Sequence, residues 1–486
     1  MGTWPPNFGL TRRGFLLGAG TGVAAGAAGT WLGLRGFGRN RERPAPAREV
    51  ARPEYTLPGR YPGRVVEVRH PAAVSPAHVI DRQAVAGMVD QGMGELTGAE
   101  PADVRAAWGR FFQKGDVVGI KVNPVGRKPK PGEGGRNPNS VGSISSFELL
   151  YKVVESLKAV GVHARDVIVF ERYALEFCDA GYADFVRAEL PGVRWYASAV
   201  QWSAEQVDVS GFDVGRDNCS PELARHVVGY DPDVFTAMGF CAPEHSKRDD
   251  RRFRSHLSLI VTRLVNKVIN LPVLKDHRSA GVTLALKNLS HGMNNNVNRS
   301  HTSGIAHGFG PSSMLVTGPN QCNTFIPQCV AQHRLREKVT LHILDGLIGV
   351  YEGGPGNWNK TWGTWRHRGL LFATDPVALD HVGWDLIDAK RAQMGWPAVE
   401  KMGWLNQTPA AQVTTALAPL ATRSPVGAAA LAAAAHNREG GWSSEVFNVR
   451  QPEHVILAGQ LGLGVFDRDQ IDYRLVSMTS DDKVTR

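Results

Sequence analysis

The sequence predicts an α/β fold in which a mostly parallel sheet is flanked by helices. Three observations carry this expectation. Short apolar, β-branched runs alternate with amphipathic helical patterns, and five of these runs deliver a charged or amide side chain at their carboxyl end. The composition, 42% hydrophobic and 21% charged, is that of a folded globular chain. Its 486 residues suffice for one large domain or two ordinary ones.

Taken in order, Asp116 to Val122 reads as a strand that ends at Lys121 and Asn123-Pro124. The Gly-, Pro- and Lys-rich stretch from Gly126 to Ser140 reads as a loop beside that strand end, either a lid or a solvated surface loop. Leu149, Leu150, Val153, Val154, Leu157 and Val160 fall at helical spacing and predict a packed helix over 147–161. Val167 to Phe170 is a strand ending at Glu171-Arg172. Val265 to Leu271 is another, closed by Pro272 and followed by Lys275-Asp276-His277 and a helix over 281–289. Leu341 to Leu344 ends at Asp345-Gly346, and Gly369 to Ala373 ends at Thr374-Asp375-Pro376. Asp375 is placed to cap the next helix, with Pro376 in its first turn. An Ala-rich stretch over about 407–437 predicts a helical insertion near the C-terminus.

Open α/β sheets place their ligand crevice at the carboxyl ends of the strands, so these polar ends are expected to converge. The densest stretch is 275–291. Thr283, Lys287 and His291 recur every fourth residue along one side of a helix whose other positions are mostly apolar. A lysine there is costly to bury unless it meets an anion, and free N–H groups near Ser279 and Gly281 favour one as well. The expectation is a pocket for a carboxylate, a phosphate or a metal-bound anion. Lys275 and Lys287 would hold the anion or stabilise developing negative charge, and His277 or His291 would move the proton. Lys121, Asn123, Asn288 and Asp375 would contact the substrate, with Asp345 assisting a metal or aligning a histidine. The competing reading is a surface helix with incidental histidines.

The polar segment 292–320 carries His301 and His307 close after His291. These three histidines are the metal expectation, with a transition metal as the cofactor class, although their spacings of ten and six residues match no standard zinc pattern. The cysteines at 178, 219, 241, 322 and 329 include no Cys-x-x-Cys pair, so no ferredoxin-type iron–sulfur motif is encoded locally. By proximity, Cys322 and Cys329 are the expected disulfide. Gly353-Gly354-Pro355-Gly356-Asn357 reads as an anion-binding loop or a plain turn. Trp358, Trp362 and Trp365 read as a ligand platform or as the packing of a structural hairpin.

The first fifty residues read as targeting and linker. Thr11-Arg12-Arg13-Gly14-Phe15-Leu16, followed by an uncharged Gly/Ala-rich run to Leu34, has the layout of a twin-arginine export signal. A transmembrane anchor is the competing reading. The body, 51–486, is then expected to be one α/β domain, periplasmic or extracellular, touching membrane only through the signal if that is uncleaved. The expected partners are the twin-arginine translocase and a small anionic ligand. The net charge of +9 draws largely on arginines 12, 13, 35, 39, 41, 43 and 48, and no nucleic-acid-binding module is present.

Several blocks, in order, resemble the family catalogued as domain of unknown function 362. They are Gly119-Ile-Lys-Val-Asn123, Leu274-Lys-Asp-His277 with Gly281-Val-Thr-Leu-Ala-Leu-Lys-Asn288, Asp345-Gly346 with Gly354-Pro355, Thr374-Asp-Pro-Val-Ala-Leu-Asp380, and the His454…Gly459…Gly462-x-Gly464 ending. The resemblance implies no single activity. Many similar proteins carry a ferredoxin-like four-cysteine segment, and this chain departs from them there. A local likeness, His277-x-x-Ala280-Gly281 with Lys287 six residues later, resembles the nickel-pincer lactate racemases, in which a lysine and histidines hold the cofactor and shuttle protons. Two functions stand at this point. One is an exported enzyme acting on a small anionic substrate, metal-assisted or redox. The other is a non-catalytic periplasmic anion or metal binder, or an accessory subunit of an exported redox complex.

Overall fold

The computed structural model describes residues 57–401 and 452–479, apart from 137, 204, 243–244, 247, 278, 302–320 and 360. The signal, the Ala-rich insertion and His307 therefore lie outside the described residues. Thirteen strands run in chain order as β1 (Arg64–Arg69), β2 (Val118–Lys121), β3 (Val167–Tyr173), β4 (Arg194–Ala199), β5 (Tyr230–Ala237), β6 (Arg254–Ser258), β7 (Lys267–Asn270), β8 (Val273–His277), β9 (Gly281–Val282), β10 (Val339–Glu352), β11 (Gly363–Trp365), β12 (Gly369–Ala373) and β13 (Asp472–Ser477). Eleven form one sheet in the order β13-β1-β12-β10-β7-β2-β3-β4, with β8 and β11 also on β10 and β9 on β8; β5 and β6 make a separate hairpin. The run β10-β7-β2-β3-β4 is parallel throughout. The β1–β12 and β10–β12 pairs are antiparallel, so the α/β sheet is mixed and mostly parallel.

The parallel strands are buried on both faces, which is why they read as continuous apolar runs. Alternation still assigns each residue a face. Val167 and Val169 join one hydrophobic layer, with the helices Arg82–Thr97 and Phe147–Ala159; Ile168 and Phe170 join the other, with the helices Leu284–Ser290, Gln321–Val330 and Pro376–Gln393. The helix expected over 147–161 spans Phe147–Ala159, and its apolar positions from Leu149 to Leu157 are buried as its spacing predicts. No helix among the described residues is long and apolar enough to cross a membrane.

Two expectations near the centre need correction. The chain does not pass from strand to helix after Pro272. Its carbonyl accepts from Asp345 N–H at 2.8 Å, the ladder on β10 restarts, and Val273–His277 forms a second fully buried strand that turns back through β9. The helix then runs over Leu284–Ser290 and is seven residues long. The expected Cys322–Cys329 disulfide is also absent. Neither cysteine is disulfide-bonded, and seven positions along one helix separate their backbones by about 10 Å, beyond the reach of a disulfide.

Candidate functional site

A cavity of about 600 Å³ opens at the carboxyl ends of the parallel strands. Asn123 and Val125 enter from the turn after β2, Glu171, Arg172 and Tyr173 from the end of β3, Gln201 and Trp202 from beyond β4, and Lys275 and His277 from β8. Thr283, Lys287, Asn288 and His291 come from the following helix, and His301 from the short turn after it. This is where a doubly covered parallel sheet leaves its crevice. Trp202 (57% exposed) and Trp358 (45% exposed) stand at the rim.

Six of the residues predicted from sequence thus converge with Lys275: Asn123, His277, Lys287, Asn288, His291 and His301 all line this cavity. Their contacts are specific. Lys275 donates to Asn123 Oδ1 at 2.9 Å and to the Val125 carbonyl. Burial pulls its ammonium down from 10.5 to about 7, partly offset by Glu176. Lys287 lies with Nζ 2.9 Å from His277 Nε2, and burial lowers it to about 8. The other nitrogen of His277, Nδ1, accepts the N–H groups of Ser279 and Ala280 at 3.0 and 3.1 Å. A neutral imidazole whose Nδ1 accepts carries its proton on Nε2. The Nε2–H therefore donates to Lys287, whose nitrogen must offer a lone pair. The geometry calls for an uncharged amine, and burial moves Lys287 towards it, with the neutral form prevailing above about pH 8. Burial also drives His291 well below its usual range, so its imidazole stays neutral.

Lys121, expected to contact the substrate, instead sits one layer below the lining. It is buried against Glu171, the Val122 carbonyl and Asn288 Oδ1 (3.4 Å), and its pKa is lowered by burial despite Glu171. A Cβ on Gly292 would come within 2.3 Å of Asn288 O and 2.7 Å of Lys121 Nζ, so this close approach requires glycine.

Three further expectations are corrected here. Asp345 does not line the cavity: its Oδ2 accepts the N–H and hydroxyl of Ser146 (2.8 and 2.6 Å) and its Oδ1 the N–H of Leu347, so it anchors the residue before the helix Phe147–Ala159 from a distant strand. Asp375 lies outside as well, accepting four backbone N–H groups, from Gly63, Val377, Ala378 and Val465. The N–H groups at the start of the helix Leu284–Ser290 meet no external anion, because Asp380 takes those of Ala285 and Leu286 at 2.7 and 2.9 Å. The glycine-rich loop likewise serves an internal carboxylate: Gly354 N–H donates to Asp276 Oδ1 at 2.6 Å. Trp362 donates to the Val141 carbonyl and Trp365 lies on β11, so of the three tryptophans only Trp358 borders the cavity.

Sequence reasoning placed Arg172 at a polar strand end without giving it a role, and passed over Glu176, Trp202 and Cys322 as site residues. Arg172 lines the cavity, its Nε has no hydrogen-bond partner among the described residues, and it makes no ion pair among them; one Nη donates to the His291 carbonyl at 2.5 Å. Glu176 lines the same wall, its acid raised by burial and by Glu171. The other acidic groups nearby are engaged, Glu171 by Lys121 and Asp179 by Arg127 and Lys130. From the loop after β2, Arg127 and Arg136 pair with Glu133 and Asn357 donates to the Arg127 carbonyl, so these two arginines stand as an outer wall of the cavity. The deep wall is left rich in cationic and neutral nitrogen groups. No curated protein matches the chain. Residues 244–385, the segment that carries Lys275, His277, Lys287 and His291, match the model of the family described as Domain of unknown function (DUF362), and this match supports that family for the chain.

Proposed function

We propose that the protein is an exported enzyme that moves a proton on a small anionic substrate, at the carbon beside a carboxylate. One observation carries the reading: the Nε2–H of His277, fixed by two backbone donors, points at a buried lysine nitrogen. This places an uncharged amine with a nearby proton donor in a cavity that also presents a permanent cation, Arg172. In this reading Arg172 and Lys275 hold the carboxylate, Lys287 takes the proton and His277 keeps the amine oriented and neutral. Asn123 fixes Lys275, and Asn288 fixes the floor through Asn270 at 2.8 Å. Export by the twin-arginine route belongs to the same proposal and rests on the arginine pair and apolar run of the first fifty residues.

The test is proton exchange. Purified protein is incubated in deuterated water with a panel of 2-hydroxy and 2-oxo acids, and deuterium uptake beside the carboxylate is followed by NMR. Exchange that is lost in Lys287→Met and weakened in Arg172→Gln supports the proposal. Binding of a panel member without exchange would leave a periplasmic carrier in its place.

A further inference from the structure

Beside the Lys287–His277 pair, three side chains gather that this proton chemistry does not use. His291 and His301 face each other with ring centroids 5.2 Å apart. Cys322 is buried in the first turn of the helix Gln321–Val330, and one ligand atom of each of the three lies within 4.8 Å of the others. Ser300 occupies the middle of the group. Its Oγ is 2.7 Å from His291 Nε2, 3.4 Å from His301 Nδ1 and 3.8 Å from Cys322 Sγ. Because that hydroxyl donates to the Val297 carbonyl at 2.6 Å, it meets His291 Nε2 as an acceptor.

We infer that His291, His301 and Cys322 form a binding site for a thiophilic divalent cation of the zinc or cobalt class. The donor set decides the class: one thiolate and two imidazoles suit late first-row metals and zinc and reject magnesium and calcium, which require oxygen ligands. Tetrahedral coordination at metal–ligand distances near 2.0–2.3 Å sets donor atoms roughly 3.3–3.7 Å apart, so the group closes by about 1 Å. His301 is the exposed member, at the end of the short turn Asn298–His301, and its movement supplies that closure. Two of the three ligands line the cavity, so the fourth coordination position faces the substrate space. Three protein ligands with one open position is the pattern of a reactive metal site. The sequence-derived set of His291, His301 and His307 thus gains Cys322, while His307 lies outside the described residues.

Protons balance in the binding step. The Cys322 S–H bond breaks as the sulfur–metal bond forms, and its proton leaves to solvent. His291 moves its own proton from Nε2 to Nδ1, where Ser290 Oγ stands 3.1 Å away to accept it. Ser300, released from His291 Nε2, keeps its hydroxyl proton on the Val297 carbonyl and stays beside the metal-bound sulfur without donating to it.

The inference stands apart from the proton-transfer reading, and its test does not use activity. The full chain is stripped with chelator and titrated with Co²⁺, with Mg²⁺ as the contrasting ion, while stoichiometry is followed by mass spectrometry and coordination by absorption. The expected result is one Co²⁺ per chain with a thiolate-to-cobalt charge-transfer band, and no comparable Mg²⁺ binding. Cys322→Ser should abolish that band, and His301→Ala should weaken Co²⁺ binding at least about tenfold. His301 is exposed, so its variant keeps the test decisive if the buried Cys322→Ser change impairs folding. Absence of Co²⁺ binding, binding without the band, or unchanged affinity in folded His301→Ala would each overturn the inference.

Discussion

Replacing Lys287 by methionine tests the uncharged-amine assignment through stability alone. Lys287 is buried, and its ammonium is lowered from 10.5 to about 8 by loss of water. The folded state therefore binds fewer protons than the unfolded chain between pH 8 and 10.5. The sign follows: wild-type stability rises through that window, and the full cost is present below pH 8. At about 1.4 kcal/mol per pH unit, the cost below pH 8 is about 3 kcal/mol. Methionine removes that cost. Above pH 8, where the amine is neutral, it also leaves the Nε2–H of His277 without its acceptor, a loss of about 1–3 kcal/mol. Lys287→Met should thus be stabilising at pH 7 and destabilising above pH 10.5, with the difference between variant and wild type changing by at least about 3 kcal/mol across the window. Urea denaturation of both proteins at half-unit pH steps reads this, because titrations that do not sense Lys287 cancel in the difference. A difference that stays flat with pH would mean that Lys287 titrates like a solvated lysine, and the uncharged amine would have to be abandoned.

Two further perturbations follow from contacts below the cavity. Glu171→Gln leaves the buried Lys121 without its counter-charge and should cost about 3–5 kcal/mol, whereas Lys121→Met combined with Glu171→Leu should regain most of it; equal thermal midpoints for the single and double variants would contradict a buried pair. Gly292→Ala forces a methyl against Asn288 O and Lys121 Nζ and should cost about 1–3 kcal/mol by the same melts, with a cost below about 0.5 kcal/mol showing that the chain gives way there.

The sheet was largely legible because its parallel strands are buried on both sides and so appear as unbroken apolar runs. The site was legible in part for the same reason: a polar residue at the end of such a run lies at the crevice. That rule placed Asn123 and Lys275 with Lys287, His277 and His291 around one cavity. It failed for Asp345 and Asp375, which also end strands, because a carboxylate that fills backbone donors looks the same in sequence as one that faces a ligand. Asp380 shows the difficulty from the other side, since it satisfies N–H groups 94 and 95 residues away and no local pattern announces it. Cys322 was read as half of a disulfide because its nearest cysteine in sequence was Cys329. The fold instead turns it towards histidines 31 and 21 positions earlier. The strand after Pro272 was missed because proline lacks the ladder N–H, while its carbonyl was enough to restart the pairing.

Three lysines are buried around one crevice, and their partners separate structure from function. Lys121 meets a carboxylate and is a structural ion pair. Lys275 meets two neutral oxygens and Lys287 one imidazole, so among the described residues neither has a counter-ion in contact, and burial lowers both to between about 7 and 8. A chain selected for stability alone would place an apolar residue at either position, because an uncompensated buried cation is costly. An arriving anion supplies the missing charge and moves both groups back towards 10.5. Anion binding should therefore draw protons from solvent, with uptake rising above pH 7 and approaching two per ligand near pH 9 if both lysines respond. Calorimetry of a bound 2-hydroxy acid in two buffers of different ionisation enthalpy measures that number. Uptake near one that disappears in Lys275→Met would assign the response to Lys275 and leave Lys287 neutral in the complex, as proton abstraction requires. Zero uptake would show that the ligand is held by Arg172 without either lysine, and the deep wall would lose its proposed role.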